Sequence, residues 1–185
     1  NEDIFNELKR MKRLQVLVLS RNKIRILKKY STLNYNPDAT TYALQQIEND
    51  LQSLNTNNNE LQLDLSFNGI FHVDEFAFGS NSFGLASQLT KLNLNNNELN
   101  QFQLGFLAQL NNLRELNLDY NKIEFIPDNL FINSRNLETL SLRGNFISHL
   151  RSEHSFAGLH FNLRLLNLAS NKLQSIGNRV FKQTS

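Results

Sequence analysis

Four histidines, at positions 72, 149, 154 and 160, are the first residues to weigh for chemistry, because an imidazole serves both as a metal ligand and as a base near neutral pH. Glu153-His154 is the one place where an acid adjoins an imidazole, and the other histidines fall at unrelated spacings, so no set of ligands converges as a zinc site requires. Cysteine is absent, which removes disulfides, thiolate metal sites and cysteine nucleophiles together. The two glycines of FGSNSFG at 78–84 resemble part of a phosphate-cradling loop. However, Leu-Ala rather than Lys-Ser or Lys-Thr follows Gly84, and no nucleophile elbow surrounds Ser82, so this stretch is expected to be an ordinary loop. With no nucleophile, paired carboxylates or ligand cluster at related positions, the chain is expected not to be an enzyme and to hold no cofactor and no metal.

The residue types that remain are those of recognition, and a repeat positions them. LRELNLDYNKI at 113–123 returns in LETLSLRGNFI at 137–147, giving a frame LxxLxLxxNxI with a spacing of 24 residues. Leu89, Leu92, Leu94, Asn97 and Leu99 repeat it upstream, and Leu163, Leu166, Leu168, Asn171 and Leu173 downstream. Leu14, Leu17, Leu19, Asn22 and Ile24 match it near the start. The copy with Leu63, Leu65, Asn68 and Ile70 departs at its first position, which is Glu60. The short alternation turns Leu116 and Leu118 to one side of an extended segment and Glu115, Asn117 and Asp119 to the other. One such strand cannot hold itself folded; stacked copies bury the leucines in a continuous core and pair the strands in parallel.

Two further recurrences read as scaffold. Asn22, Asn68, Asn97, Asn121, Asn145 and Asn171 stand where the chain leaves the strand, and their amides can bond backbone groups of their own and the adjacent coil, which accounts for part of the roughly thirty asparagines. Phe78, Phe131 and Phe181 lie ten residues after their Asn and Phe156 eleven after, where a large ring fills the space on the far side of each coil.

The frame also aligns the exposed positions. One column reads Val18, Asp64, Asn93, Asn117, Ser141, Asn167; the next Ser20, Ser66, Asn95, Asp119, Arg143, Ala169; the third Arg21, Phe67, Asn96, Tyr120, Gly144, Ser170. Exposed aromatics beside Asn, Asp and Arg have the composition of a binding hot spot, so Phe67, Asn96, Asp119, Tyr120 and Arg143 are the candidate partner-binding residues. The bland reading is a solvated sheet face on which Asp119 pairs with Arg143, and Lys91 with Glu115, to little energetic effect.

The pattern breaks between Asn22 and Asn68. Leu44, Ile47, Leu51 and Leu54 recur at spacings of three and four after Thr40-Thr41, which predicts a helix, and Asn36-Pro37-Asp38 predicts a turn near Tyr30 and Tyr35. Residues 28–60 are therefore an irregular insertion or a degenerate repeat, and a second candidate for binding.

LRELNLDYNKIEFIPDNLF at 113–131 resembles the typical extracellular leucine-rich repeat shared by Toll-type, Slit-type and chaoptin-type proteins, and SFAGLHFNLRLLNLASNKL at 155–173 is most similar to the chaoptin-like group. The resemblance implies an α/β solenoid: a curved stack with a parallel sheet on the concave face and irregular or short helical convex segments, serving protein recognition. Cysteine-rich caps, common in such ectodomains, are missing here. Residues 1–185 are thus expected to be a single array and an internal portion of a longer one, with end-to-end stacking or a homo-oligomer as another way to cover its ends.

A formal charge of +2 with scattered basic residues gives no nucleic-acid footprint, KRMKR around Met11 being the only local cluster. No apolar run approaches the roughly 20 residues that cross a bilayer, so no direct membrane insertion is expected. The expected function is a protein-recognition or cell-adhesion module at the cell surface or outside the cell, with another protein as partner. The alternative is an intracellular, cytoplasmic scaffold or assembly subunit, toward which the absence of any Asn-x-Ser/Thr acceptor site points.

Overall fold

The computed structural model describes residues 15–27, 60–78 and 85–182. Its strands are β1 (Val16–Val18), β2 (Ile26–Leu27), β3 (Leu61–Asp64), β4 (His72–Val73), β5 (Leu89–Asn93), β6 (Glu115–Asn117), β7 (Thr139–Ser141), β8 (His149–Leu150), β9 (Leu165–Asn167) and β10 (Ser175–Ile176), and a single helical turn, α1 (Leu85–Gln88), leads into β5. The six strands β1, β3, β5, β6, β7 and β9 form one parallel sheet in that order. Register follows the repeat frame: Leu92 faces Leu116, Leu116 faces Leu140, and Leu140 faces Leu166. Two short parallel pairs, β2 with β4 and β8 with β10, run along a second edge of each coil. Short 3-10 turns at Gln101–Gln103, Gly105–Gln109 and Leu159–Phe161 fill the far side. This is the expected leucine-rich repeat solenoid of α/β type.

The core is the stacked Leu column. Leu92, Leu94, Leu116, Leu118, Leu140 and Leu142 are all buried, each contributing about 1.5–3 kcal/mol relative to an exposed side chain. In the outer described coils the equivalent Leu17, Leu19, Leu166 and Leu168 are partly buried and pack against that core from its ends.

The departure at Glu60 is resolved by a bulge. Leu61 pairs with Leu89 while Gln62 pairs with Lys91, so Leu61 occupies the core position that the frame assigns to residue 60. The extra residue opposite is Thr90, buried, with its hydroxyl donating to the Leu61 carbonyl at 3.2 Å. β1 pairs directly with β3, Leu17 against Leu63, which leaves no sheet position between them. The helix and turn expected within 28–60, and the loop expected at 78–84 apart from Phe78, lie outside the described residues.

The recurrent asparagines are scaffold, as read from the sequence. Asn121 donates through Nδ2 to the carbonyls of Leu94 and Leu118, both at 3.0 Å, and accepts the Leu99 N–H at 3.0 Å. Asn145 and Asn171 repeat the arrangement one and two coils later. Each rung satisfies backbone groups that the turn would otherwise leave buried and unpaired. A second row, on the outer side, was not read from the sequence: Asn112, Asn136 and Asn162 each stand just before the first Leu of a repeat. They donate to the carbonyls of Ser87, Asn111 and Arg135 in the coil before. This accounts for more of the asparagine excess.

Phe78, Phe131 and Phe156 are buried as expected, and Phe106 joins them, 5.5 Å from Phe78 between ring centres. Phe181 stacks on Phe156 at 5.7 Å and remains partly exposed.

Candidate recognition groove

Every described repeat leaves the sheet through a residue in the left-handed region: Arg21, Phe67, Asn96, Tyr120, Gly144 and Ser170, with φ between 53° and 69°. These form the third exposed column of the sequence frame. Gly and Asn tolerate this conformation; an aromatic side chain there costs about 1 kcal/mol or more. Phe67 and Tyr120 nevertheless occupy it with 42% and 46% of their surface exposed. Each ring carries a guanidinium: Arg21 lies 4.4 Å from the Phe67 centroid and Arg143 5.8 Å from that of Tyr120. Tyr120 lies against Gly144, where an added Cβ would fall 2.5 Å from its Cδ1.

Of the five residues read from the sequence, Asp119, Tyr120 and Arg143 are linked to one another at the rim, while Phe67 meets Arg21 and Asn96 meets Asn95. Asp119 is not ion-paired with the guanidinium of Arg143. Its carboxylate accepts the Ser141 hydroxyl at 2.5 Å and the Arg143 backbone N–H at 2.7 Å, and so serves the turn itself. Asn96 is held by its own neighbour, donating to Asn95 Oδ1 at 2.9 Å. The Lys91–Glu115 pair forms as read, at 2.7 Å, and both partners are exposed enough that it adds little.

The concave hollow lies elsewhere on the sheet, with a volume of about 380 Å³. Its floor is Gln62, Lys91, Glu115 and Thr139 in one column and Asp64, Asn93, Asn117 and Ser141 in the next, with Val16 and Val18 at one end. Both valines are exposed, at 51% and 59%. None of the five rim residues lines it. The second floor column is one of those that the repeat frame aligns among the exposed positions, outside the five candidates; the first follows from the same alternation that sends Leu inward.

The chemistry of the floor is set by local turns. Asn93 Oδ1 accepts the Asn95 N–H at 3.2 Å, Asn117 Oδ1 accepts the Asp119 N–H at 2.9 Å, and Asp64 accepts the Ser66 N–H at 2.8 Å. Each side-chain oxygen thus caps the backbone two residues on. The Nδ2 groups of Asn93 and Asn117 are engaged by no described residue. The two asparagines are register partners on adjacent strands, whose backbones lie roughly 5 Å apart, and together they present a short row of hydrogen-bond donors. On the flank, Lys122 donates to Glu98 at 2.9 Å. That hydrogen bond and the Lys122 charge hold the Glu98 carboxyl below its usual range.

Groups with catalytic potential remain dispersed. His149 Nδ1 shares a 2.8 Å hydrogen bond with Ser175 Oγ across β8 and β10, but on an exposed surface. His72 meets Asp74 at 2.7 Å two residues away. Among the described residues no three His, Cys, Asp or Glu side chains are grouped to hold a metal ion, and no helix is long and apolar enough to cross a membrane.

A family model described as leucine rich repeat matches residues 87–147 and 112–173. Podocan of Mus musculus is 34% identical over 138 residues, covering 69% of this chain and 22% of podocan. Osteomodulin of Rattus norvegicus is 37% identical over 114 residues, covering 60% of this chain and 25% of osteomodulin. The chain therefore spans about a quarter of the length of these relatives. Among solved structures, a chain of the octameric complex of Latrophilin 3, Unc5D and FLRT2 superposes with a TM-score of 0.58 at 19% identity, over 94% of this chain and 59% of its own length, a likeness of fold.

Proposed function

We propose, for a chain that is a leucine-rich repeat protein, that the concave groove receives a segment of another protein, making it a protein-recognition or adhesion module. The observation that carries this reading is the donor row of Asn93 and Asn117, beside an exposed apolar shelf of Val16 and Val18. Such a floor suits an extended segment that offers carbonyl or carboxylate oxygens to the amides and one apolar side chain to the valines. The extracellular or cell-surface placement is supported by the Phe-spaced repeat and by the similarity to podocan and osteomodulin.

A photo-crosslinking residue at position 117, compared with one at Asn136 on the outer row, tests this directly. Recognition by the groove predicts a partner adduct at 117 and none at 136. It also predicts that Asn93→Ala with Asn117→Ala weakens binding of that partner about tenfold or more. Equal labelling at both positions, or unchanged affinity in the double variant, would refute it.

A second reading places the contact on the rim, at Phe67, Asn96, Asp119, Tyr120 and Arg143. Its support is the left-handed backbone that Phe67 and Tyr120 adopt at a cost in stability. Alanine at those two aromatics would then abolish binding while the groove variant left it intact.

A further inference from the structure

Asn68-Gly69 is the one Asn-Gly pair in the sequence, and it falls on a rung of the buried ladder. We infer that it is a conformationally gated deamidation site, shielded while the first coil is docked and converted once that coil opens, after which the rung cannot re-form. The inference stands independently of the recognition reading.

The chemistry needs only water. The Gly69 backbone nitrogen attacks Asn68 Cγ; the new C–N bond forms as the Cγ–Nδ2 bond breaks, and ammonia leaves with the Gly69 amide proton. Water then opens the resulting succinimide at either carbonyl, giving aspartate or isoaspartate. A following glycine favours attack because it carries no side chain to hinder the approach.

Gly69 is not required by the repeat. The same position in the other coils is Lys23, Glu98, Lys122, Phe146 and Lys172, none of which has a positive φ, whereas Gly69 sits at φ +84°. An added Cβ there would meet only Glu98 Oε1, at 3.9 Å.

The folded coil opposes the attack by holding both ends of the carboxamide. Nδ2 donates to the carbonyls of Leu19 and Leu65 at 2.9 Å and of Ser66 at 3.1 Å. Oδ1 accepts the N–H groups of Asn22 at 3.0 Å and Ile24 at 3.3 Å. Only 7% of the residue is exposed to the water that would complete the reaction. Rotating Cγ onto the Gly69 nitrogen breaks these bonds together, and three of the five reach the first coil.

The product reverses the logic of the site. A carboxylate at position 68 would face the Leu19, Leu65 and Ser66 carbonyls with no donor, and isoaspartate would also lengthen the main chain inside the turn. The first coil then loses the donor that held the Leu19 carbonyl and meets a carboxylate in its place, and with β1 released the concave groove loses Val16 and Val18.

The test incubates the full chain in mildly alkaline buffer, folded and in urea, with peptide mapping by mass spectrometry; Asn133, exposed and followed by Ser134, reports that the chemistry is running. In urea Asn68 is expected to convert first of all the asparagines, and in the folded chain at least about tenfold more slowly, because only the open fraction reacts. Chain converted at Asn68 and then returned to native buffer is expected to lose hydrogen-exchange protection at Leu19 and Ile24 while keeping it in β6 and β7. Equal rates in the folded and urea samples would overturn the inference, as would full recovery of protection at Leu19 and Ile24 after conversion.

Discussion

Gly144 and Tyr120 are a matched pair: the missing Cβ of one is the space that the ring of the other fills. Gly144 also sits at φ +69°, so Gly144→Ala meets both a backbone penalty of about 1 kcal/mol and a steric overlap of similar size. We expect a loss near 2 kcal/mol in urea unfolding, reduced to about half when Tyr120→Asn is made in the same chain; additive losses would show that the ring moves aside freely. Tyr120→Asn alone replaces an aromatic with a residue suited to the left-handed region. It is expected to leave stability unchanged or raise it by up to about 1 kcal/mol. If it instead destabilises the chain, the Arg143 stacking outweighs the backbone strain. The Asn at the end of each strand was readable as scaffold because its position recurs. The left-handed turn just before it was not, because six different side chain settings, from Arg to Gly, occupy it.

The two asparagine rows separate what burial does for the same side chain. Asn121 on the inner row is 3% exposed and serves backbone donors and acceptors of two coils, its own and the one before. Asn121→Ala strands several buried polar groups and is expected to cost about 2–4 kcal/mol. Asn136 on the outer row makes one exposed bond, to the Asn111 carbonyl. Asn136→Ala is expected to cost under about 1 kcal/mol, since water replaces the lost donor. Chemical denaturation of the two variants decides this, and equal losses would contradict the distinction. At this scale the strands were readable from the Leu alternation, as was their stacking order. The bulge at Leu61 opposite Thr90 was not, because a one-residue slip leaves the local pattern unchanged and is decided by the neighbouring strand.

Across the whole stack, each coil touches chiefly the coils before and after it, so stability is a sum of neighbouring junctions rather than a property of one shared centre. The inner coils around β6 and β7 have fully buried leucines, whereas those of the first and last described coils are only partly buried. Hydrogen exchange is accordingly expected to be slowest at the amides of Leu116, Leu118, Leu140 and Leu142 and faster toward β1 and β10. Uniform protection along the stack would mean that it unfolds as one unit. Curvature belongs to this scale as well. The hollow over Lys91, Glu115, Asn93 and Asn117 exists because successive coils place equivalent side chains side by side across the sheet.

The sequence by itself determined the repeat, its period, the inward leucines, the inner asparagine ladder and most of the phenylalanine spacers, since each is a recurrence that one coil imposes on the next. It also aligned the exposed columns. Tertiary structure decided which of those columns forms the floor of the groove and which forms its rim. It turned Asp119 from a partner of the Arg143 guanidinium into a cap for its backbone, and it engaged the Oδ1 atoms of Asn93 and Asn117 in turns while leaving their Nδ2 groups without a partner among the described residues. The physical reason is that spacing along the chain records which side a residue faces. What that residue meets there depends on atoms about 24 positions away, brought alongside only when the coils stack.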